Sequence, residues 1–405
     1  IQPTLEMVQQ AEALGVRPIA MNRHALGDAP HLLADDRLAL SATVRTLFLA
    51  SRLIFRALFS NCLVRMVAAS IIRQQRIAST LASRYTGICL RAVSHYQEVG
   101  EDYVTLAAEE ADAIRFGTHW STFDGTSAAA LRTHHAFFAW GRHDARIMID
   151  SGTTAKHLLI GGCIVNEIRS NSADRELAQN TAVDIRAKGA KYILVLFDSS
   201  TPTPNFFHFF LQWVLDDPHL GLLIKPKNTT WRAPYGGLND LFDKAIATER
   251  IHVFDRWLGP SDVALASDFA VGHTSLSAVV VSALAGAKVI YLDYARLNHD
   301  PLTKPYTTLH SLGPNRCVFH DHESLRQAVL GYASSSSSNS LLGDATRVLD
   351  QFDSFRDGKA SQRIGEYIQW YLQALDEGST RDDALMHATR DYADKWGADK
   401  VVRGL

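Results

Sequence analysis

Beyond residue 190 the chain alternates between short, unbroken apolar runs and stretches of helical period. "KYILVLF" (Lys191–Phe197), "LGLLIKPK" (Leu220–Lys227), "RIHVFD" (Arg250–Asp255), "DFAVGH" (Asp268–His273), "KVIYLDY" (Lys288–Tyr294) and "RCVFHD" (Arg316–Asp321) are predicted strands. Between them, Asn205–Asp217, Leu238–Glu249, Ser261–Ser267, Ser275–Gly286 and Glu323–Ala333 are predicted helices. Strands without polar alternation are buried on both faces. Strands and helices in alternation build a parallel sheet covered on both sides.

This predicts a doubly wound, Rossmann-like domain over about 190–335, followed by helices within 341–405 such as Arg363–Gly378 and Arg381–Gly397. The serine run Ser334–Ser340 reads as a surface loop. The first 165 residues are less regular. "GVRPIAMN", "GICLRAVSHYQ", "AIRFGTHW", "HHAFFAWG" and "AKHLLIGG" suit strands of a second α/β domain over 1–165, with a helical insert at about 36–84 and Val165–Gly189 joining the two domains. No fixed-period repeat is visible.

Composition narrows the classes without choosing among them. With 405 residues, 46% hydrophobic, 21% charged and a net charge of −2, the chain suits a two-domain soluble protein and gives no reason to expect nucleic acid. Cys62, Cys89, Cys163 and Cys317 have neither metal nor disulfide spacing, which suits a reducing, cytoplasmic setting. The first residue is Ile rather than Met, as expected of an excised fragment. From Arg37 to Arg91 every charged side chain is an arginine. Helix surfaces normally mix signs. This stretch is therefore expected either to pair with distant carboxylates or to meet an anionic surface, such as the inner leaflet of the cytoplasmic membrane.

The candidate chemistry gathers where strands end. "GHTSLS" closes one strand and opens a helix, so His273, Thr274, Ser275 and Ser277 lie where free N–H groups and the helix dipole attract phosphate; plain N-capping is the alternative. Lys225 and Lys227 of "KPK" and Asp198 of "FDSSTP" also follow predicted strands. In the first half, "GTHWSTFDG" carries His119 and Asp124, candidate acid/base groups. "HDHE" (His320–Glu323) has the look of a metal cluster but is read as a helix start capped by Asp321, and no metal is expected. G-x-G-x-x-G, P-loop and G-x-S-x-G motifs are absent from the sequence.

Together, the Lys-Pro strand end, "HTSLSAVVVSALAGAKVIYL" and "WGRHDARIMIDSG…KHLLIGG" resemble the GT-B glycosyltransferases of bacterial surface polysaccharides, in particular the retaining β-Kdo transferases that use CMP-activated sugar. The resemblance covers about 140–294. It implies two Rossmann-like domains facing across a cleft, a nucleotide-sugar donor, a glycan or lipid-linked glycan acceptor and no other cofactor. It also implies phosphate at His273–Ser277 and the two lysines, and Asp198 as nucleophile; Asp124 or His119 would then act as base for the acceptor hydroxyl. Lys227 departs from the family's Lys-Pro-His, which leaves the sugar open. CDP-glycerol-type glycerophosphotransferases, sugar-nucleotide epimerases and a non-catalytic binding module share the architecture and remain alternatives.

Overall fold

The computed structural model describes residues 91–94, 103–169, 172–199, 202–227, 230–254, 258–273, 276–334 and 341–404, with scattered helical positions between 51 and 86. It divides into two compact units. One comprises residues 1–117, 133–136 and 371–387, and the other 118–132, 137–370 and 388–405.

In the first unit, β1 (Ala92–Ser94) and β2 (Ile114–Thr118) pair in parallel, with Ala92 opposite Ile114. The helix Tyr103–Glu110 joins them and buries Val104, Ala107 and Ala108. All the arginines from Arg37 to Arg84 lie outside the described residues, as does most of the helical insert. Arg91 is described, and it meets a distant carboxylate, Asp376, at 2.6 Å. The predicted strand at 15–22 also lies outside the described residues.

The second unit contains β3 (Ala136–Ala139) and β4 (His157–Ile160), linked by the helix Arg142–Asp150. The chain returns at its far end to add β11 (Val401–Arg403) antiparallel to β4, with Val401 opposite Leu159. Tyr392 and Arg363 anchor the C-terminal helices to the residues around the end of β4, donating to the main-chain oxygens of Ile160 (2.7 Å) and Gly161 (3.1 Å).

The heart of this unit is a six-stranded parallel sheet. Its strands are β5 (Tyr192–Phe197), β6 (Leu220–Lys225), β7 (Ile251–Val253), β8 (Phe269–His273), β9 (Val289–Leu292) and β10 (Val318–Phe319). They lie in the order β10-β9-β8-β5-β6-β7. Alternate residues of β5 go to opposite faces. Ile193, Val195 and Phe197 pack with Ala178, Ala182, Ile185, Val279 and Ala283. Leu194 and Leu196 pack with Phe206, Phe207, Phe210 and Trp213. Each fully buried Leu, Ile or Phe contributes about 1.5–3 kcal/mol, so both layers are strongly held.

Within the stretch 165–189, expected to join the two domains, Ser172–Ala187 is a helix packed into the core of the sheet. It sits so close to the sheet that a Cβ on Gly221 of β6 would collide with Ile185. The α/β architecture with parallel sheets is as the apolar runs predict.

Candidate functional site

In a parallel sheet all strands point the same way, so their carboxyl ends form one rim, and open α/β sheets bind ligands there. Five neighbouring strands of this sheet deliver a polar or ionisable side chain to that rim. In spatial order these are His320 after β10, Asp293 after β9, His273 at the end of β8, Asp198 after β5, and Lys225 at the end of β6. The register sets them level: Phe197 is opposite Lys225, and Leu196 is opposite Val271.

Asp198 is buried, and its carboxylate is held on both sides. Oδ1 accepts from the Tyr235 hydroxyl at 3.1 Å, and Oδ2 accepts from the Lys227 main-chain N–H at 3.2 Å. Burial, then the Asp198 charge and hydrogen bond, push the Tyr235 hydroxyl up to about 12, so it acts as a neutral donor. Lys225 is buried beside it, with Nζ 3.3 Å from the Pro226 main-chain oxygen. Lys227 is exposed and reaches Asp198 through its main chain. Tyr235 was not among the residues expected from the sequence. It lies ten residues after Lys225, in a Gly- and Pro-containing stretch with no strand or helix signal.

His273 is fully buried against Phe206, with ring centroids 4.1 Å apart. Burial first, and then the nearby His322, push its pKa down to about 4. An unfolded histidine titrates near 6.5. Between these values the unfolded chain binds more protons than the folded one, so stability rises with pH. This contribution is complete above about pH 6.5 and is lost as the pH falls toward 4. His273→Phe keeps the ring packing and removes the titrating group. The drop in urea midpoint between pH 7 and pH 4.5 is expected to be smaller for the variant than for the native chain. An equal drop would show that His273 does not carry this dependence.

Thr274 and Ser275 lie outside the described residues. Ser277 is in the first turn of the helix Leu276–Leu284, and its hydroxyl meets that of Ser121 and the main-chain oxygen of Thr122 (3.4 Å). The loop carrying His119 and Asp124 is therefore tied to the start of the helix that follows β8. The same loop is fixed from below by "RHD". Asp144 accepts from the Thr122 hydroxyl (2.7 Å) and the Phe123 N–H (3.1 Å), and His143 Nε2 donates to the Phe123 oxygen (2.7 Å). Asp124 is exposed. After burial, its charge is the largest influence raising the pKa of the Tyr291 hydroxyl on β9.

His119 is fully buried between Trp140 and Phe123, stacked on the former at 4.6 Å. Its Nε2 accepts the Trp140 main-chain N–H (2.8 Å), so Nδ1 carries the proton and donates to the Ser121 oxygen (2.8 Å). Burial pushes its pKa down. Both nitrogens are committed, one to the loop and one to the main chain just after β3.

Asp321 caps the helix His322–Ser334 as the sequence predicts, accepting from the Ser324 N–H at 2.7 Å. A cavity of about 510 Å³ lined by Leu312, Asn315, Tyr332 and Leu342 lies beside the segment leading into β10, away from the rim.

No known protein-family model matches the sequence, and no curated protein does. The structure of S. aureus MnaA with UDP superposes with a TM-score of 0.53 at 13% identity, covering 92% of this chain and 93% of that one. The chain has the GT-B fold. Two more distant GT-B structures also align. The glycotransferase of kitacinnamycin does so at 14% identity and TM-score 0.49, over 89% of this chain and 94% of that one. Anabaena HepE, solved with UDP and glucose, does so at 12% and 0.46, over 71% and 80%. The GT-B fold expected from the sequence is the one shared with MnaA, and the rim described above belongs to its six-stranded parallel sheet. Among the described residues, no helix is long and apolar enough to cross a membrane.

Proposed function

We propose that the chain is a sugar-nucleotide-dependent enzyme, a glycosyltransferase that takes its donor on the β8-β5-β6 rim. The observation that carries this reading is the level placement of His273, Asp198 and Lys225 on three adjacent strand ends. Lys225 neutralises phosphate charge, the first turn of the helix Leu276–Leu284 supplies N–H donors, and neutral His273 forms the wall beneath them. Lys227 assists from the exposed side. Asp198, its carboxylate already oriented by Tyr235 and Lys227, faces the anomeric carbon and acts as nucleophile if configuration is retained. Asp124 serves as base for the acceptor hydroxyl; His119, with both nitrogens in use, supports its loop instead. None of these roles needs a metal or a further cofactor.

The donor sugar is proposed to be Kdo or a related ulosonic acid on CMP, because of the resemblance around Lys225 and His273. UDP is the competing nucleotide, because MnaA and HepE were solved with it. The acceptor is a surface glycan or lipid-linked glycan, reached from the cytoplasm, with the arginines from Arg37 to Arg84 meeting the anionic membrane face while Arg91 pairs with Asp376. Epimerisation of the bound sugar nucleotide is the second reading, since UDP-N-acetylglucosamine 2-epimerases are among the solved structures that align with this chain.

Thermal unfolding with CMP, UDP and CDP-glycerol, each added separately, tests the class. A ligand at a hundred times its Kd adds about 2.7 kcal/mol, so the matching nucleotide is expected to raise Tm by several degrees and the others little. No shift with any of the three would remove the sugar-nucleotide reading. Following the matching donor by NMR without acceptor then separates the activities, because an epimer accumulates only if the second reading holds.

A further inference from the structure

At the β9-β10 end of the rim, three segments far apart in sequence converge on one carboxylate. Asp293 follows β9, His310 lies in the short 3-10 helix Thr308–Leu312, and His320 follows β10. His310 Nε2 is 2.8 Å from Asp293 Oδ2, and His320 Nδ1 is 3.8 Å from the same oxygen. One ligand-type atom from each residue lies within 4.8 Å of the others. We propose that Asp293, His310 and His320 form a binding site for one divalent d-block cation of the zinc class.

The distances suit that ion. Bonds of about 2.0–2.1 Å in a tetrahedron place neighbouring ligand atoms ~3.3 Å apart, and the two distances to Oδ2 bracket this. The donor set is also selective: two imidazoles and one carboxylate favour zinc, cobalt, nickel or copper over magnesium or calcium. Three protein ligands leave a fourth position for water or another ligand.

A second observation points the same way. Asp293 is 1% exposed, and its Oδ1 has no hydrogen-bond partner among the described residues; nor has His310 Nδ1. Among the described residues, no Lys or Arg ion pair neutralises Asp293. A buried carboxylate oxygen left without a donor or a cation is costly, and a cation between the imidazoles, bound by both oxygens of the carboxylate, would relieve it. The carboxylate is held from behind, as metal ligands usually are: the Leu297 N–H donates to Asp293 Oδ2 at 2.8 Å. His320 Nδ1 lies 3.0 Å from the Asp293 main-chain oxygen and turns from it to the cation on binding. The capping reading of "HDHE" holds for Asp321 alone, while His320, one residue earlier, turns to Asp293. This site stands independently of the proposed sugar-nucleotide function.

The test uses the full chain, stripped with EDTA and titrated with zinc chloride against a chromogenic chelator. One equivalent is expected to bind. His310→Gln and His320→Gln are each expected to weaken binding by about tenfold or more, while His208→Gln, an exposed histidine elsewhere, leaves it unchanged. Cobalt substitution is expected to give visible d–d absorption that His320→Gln abolishes. His320 is part-exposed, so this variant is expected to retain the native circular dichroism spectrum, which is checked first. No stoichiometric zinc binding by the native chain, or equal binding by both variants, would overturn the proposal and leave a hydrogen-bonded His-Asp-His cluster.

Discussion

Asp198→Asn is expected to reduce turnover by at least about 10²–10⁴-fold, the range for losing a positioned acid/base or nucleophilic side chain. The substitution is chosen to leave the fold alone. An amide oxygen can still accept from the Tyr235 hydroxyl while the Lys227 N–H loses its acceptor, so one of the two orienting contacts survives while the negative charge does not. Nucleotide affinity should change little, because the charge removed faces the sugar rather than the phosphate. Intact-protein mass spectrometry with donor alone provides an independent view. If Asp198 is the nucleophile, a sugar-sized adduct forms on the native chain and not on the variant. Turnover within tenfold of native, measured alongside unchanged circular dichroism, would take Asp198 out of the chemistry. Tyr235→Phe is the companion experiment, removing the orienting hydroxyl while keeping the carboxylate.

Lys225→Met should produce the opposite pattern. Methionine keeps much of the apolar stem and deletes the ammonium group. If Lys225 binds phosphate, nucleotide affinity falls by about 1.5–3 kcal/mol, or roughly 10- to 150-fold, the value of a charge-assisted bond. Desolvating a buried charge is unfavourable, so the ligand-free variant is expected to be no less stable than the native chain. Weaker nucleotide binding on an equally stable protein identifies a ligand-facing lysine. Unchanged affinity by calorimetry would assign Lys225 to the fold instead.

How much of this was legible in the sequence follows from the physics of each element. The six-stranded sheet was legible because its strands are buried on both faces, leaving runs such as Ile193–Phe197 wholly apolar. The helix Ser172–Ala187 was not, because its buried positions are Ala178, Ala182 and Ile185, and small residues give a weak periodic signal. β11 escaped because it is three residues long and only half-buried, and its partner lies at the other end of the unit. For the site, strand ends revealed Asp198, Lys225 and His273 by position. Residue type alone could not show that both nitrogens of His119 are taken by Trp140 and Ser121. Nor could spacing reveal the cluster of Asp293, His310 and His320, since its members come from three separate segments.

The pairing of β11 with β4 has a consequence for the order of events during synthesis. The six-stranded sheet is encoded in one continuous stretch, so it can assemble while the ribosome is still working. The edge of β4 has no such opportunity. Its partner strand, together with Tyr392, which bonds to Ile160, emerges only after the whole six-stranded sheet. Until then one flank of β4 displays unpaired main-chain groups to whatever is nearby. The nascent protein therefore passes through an interval in which the six-stranded sheet is complete while β4 still lacks its edge partner, and protection by chaperones would matter most in that interval.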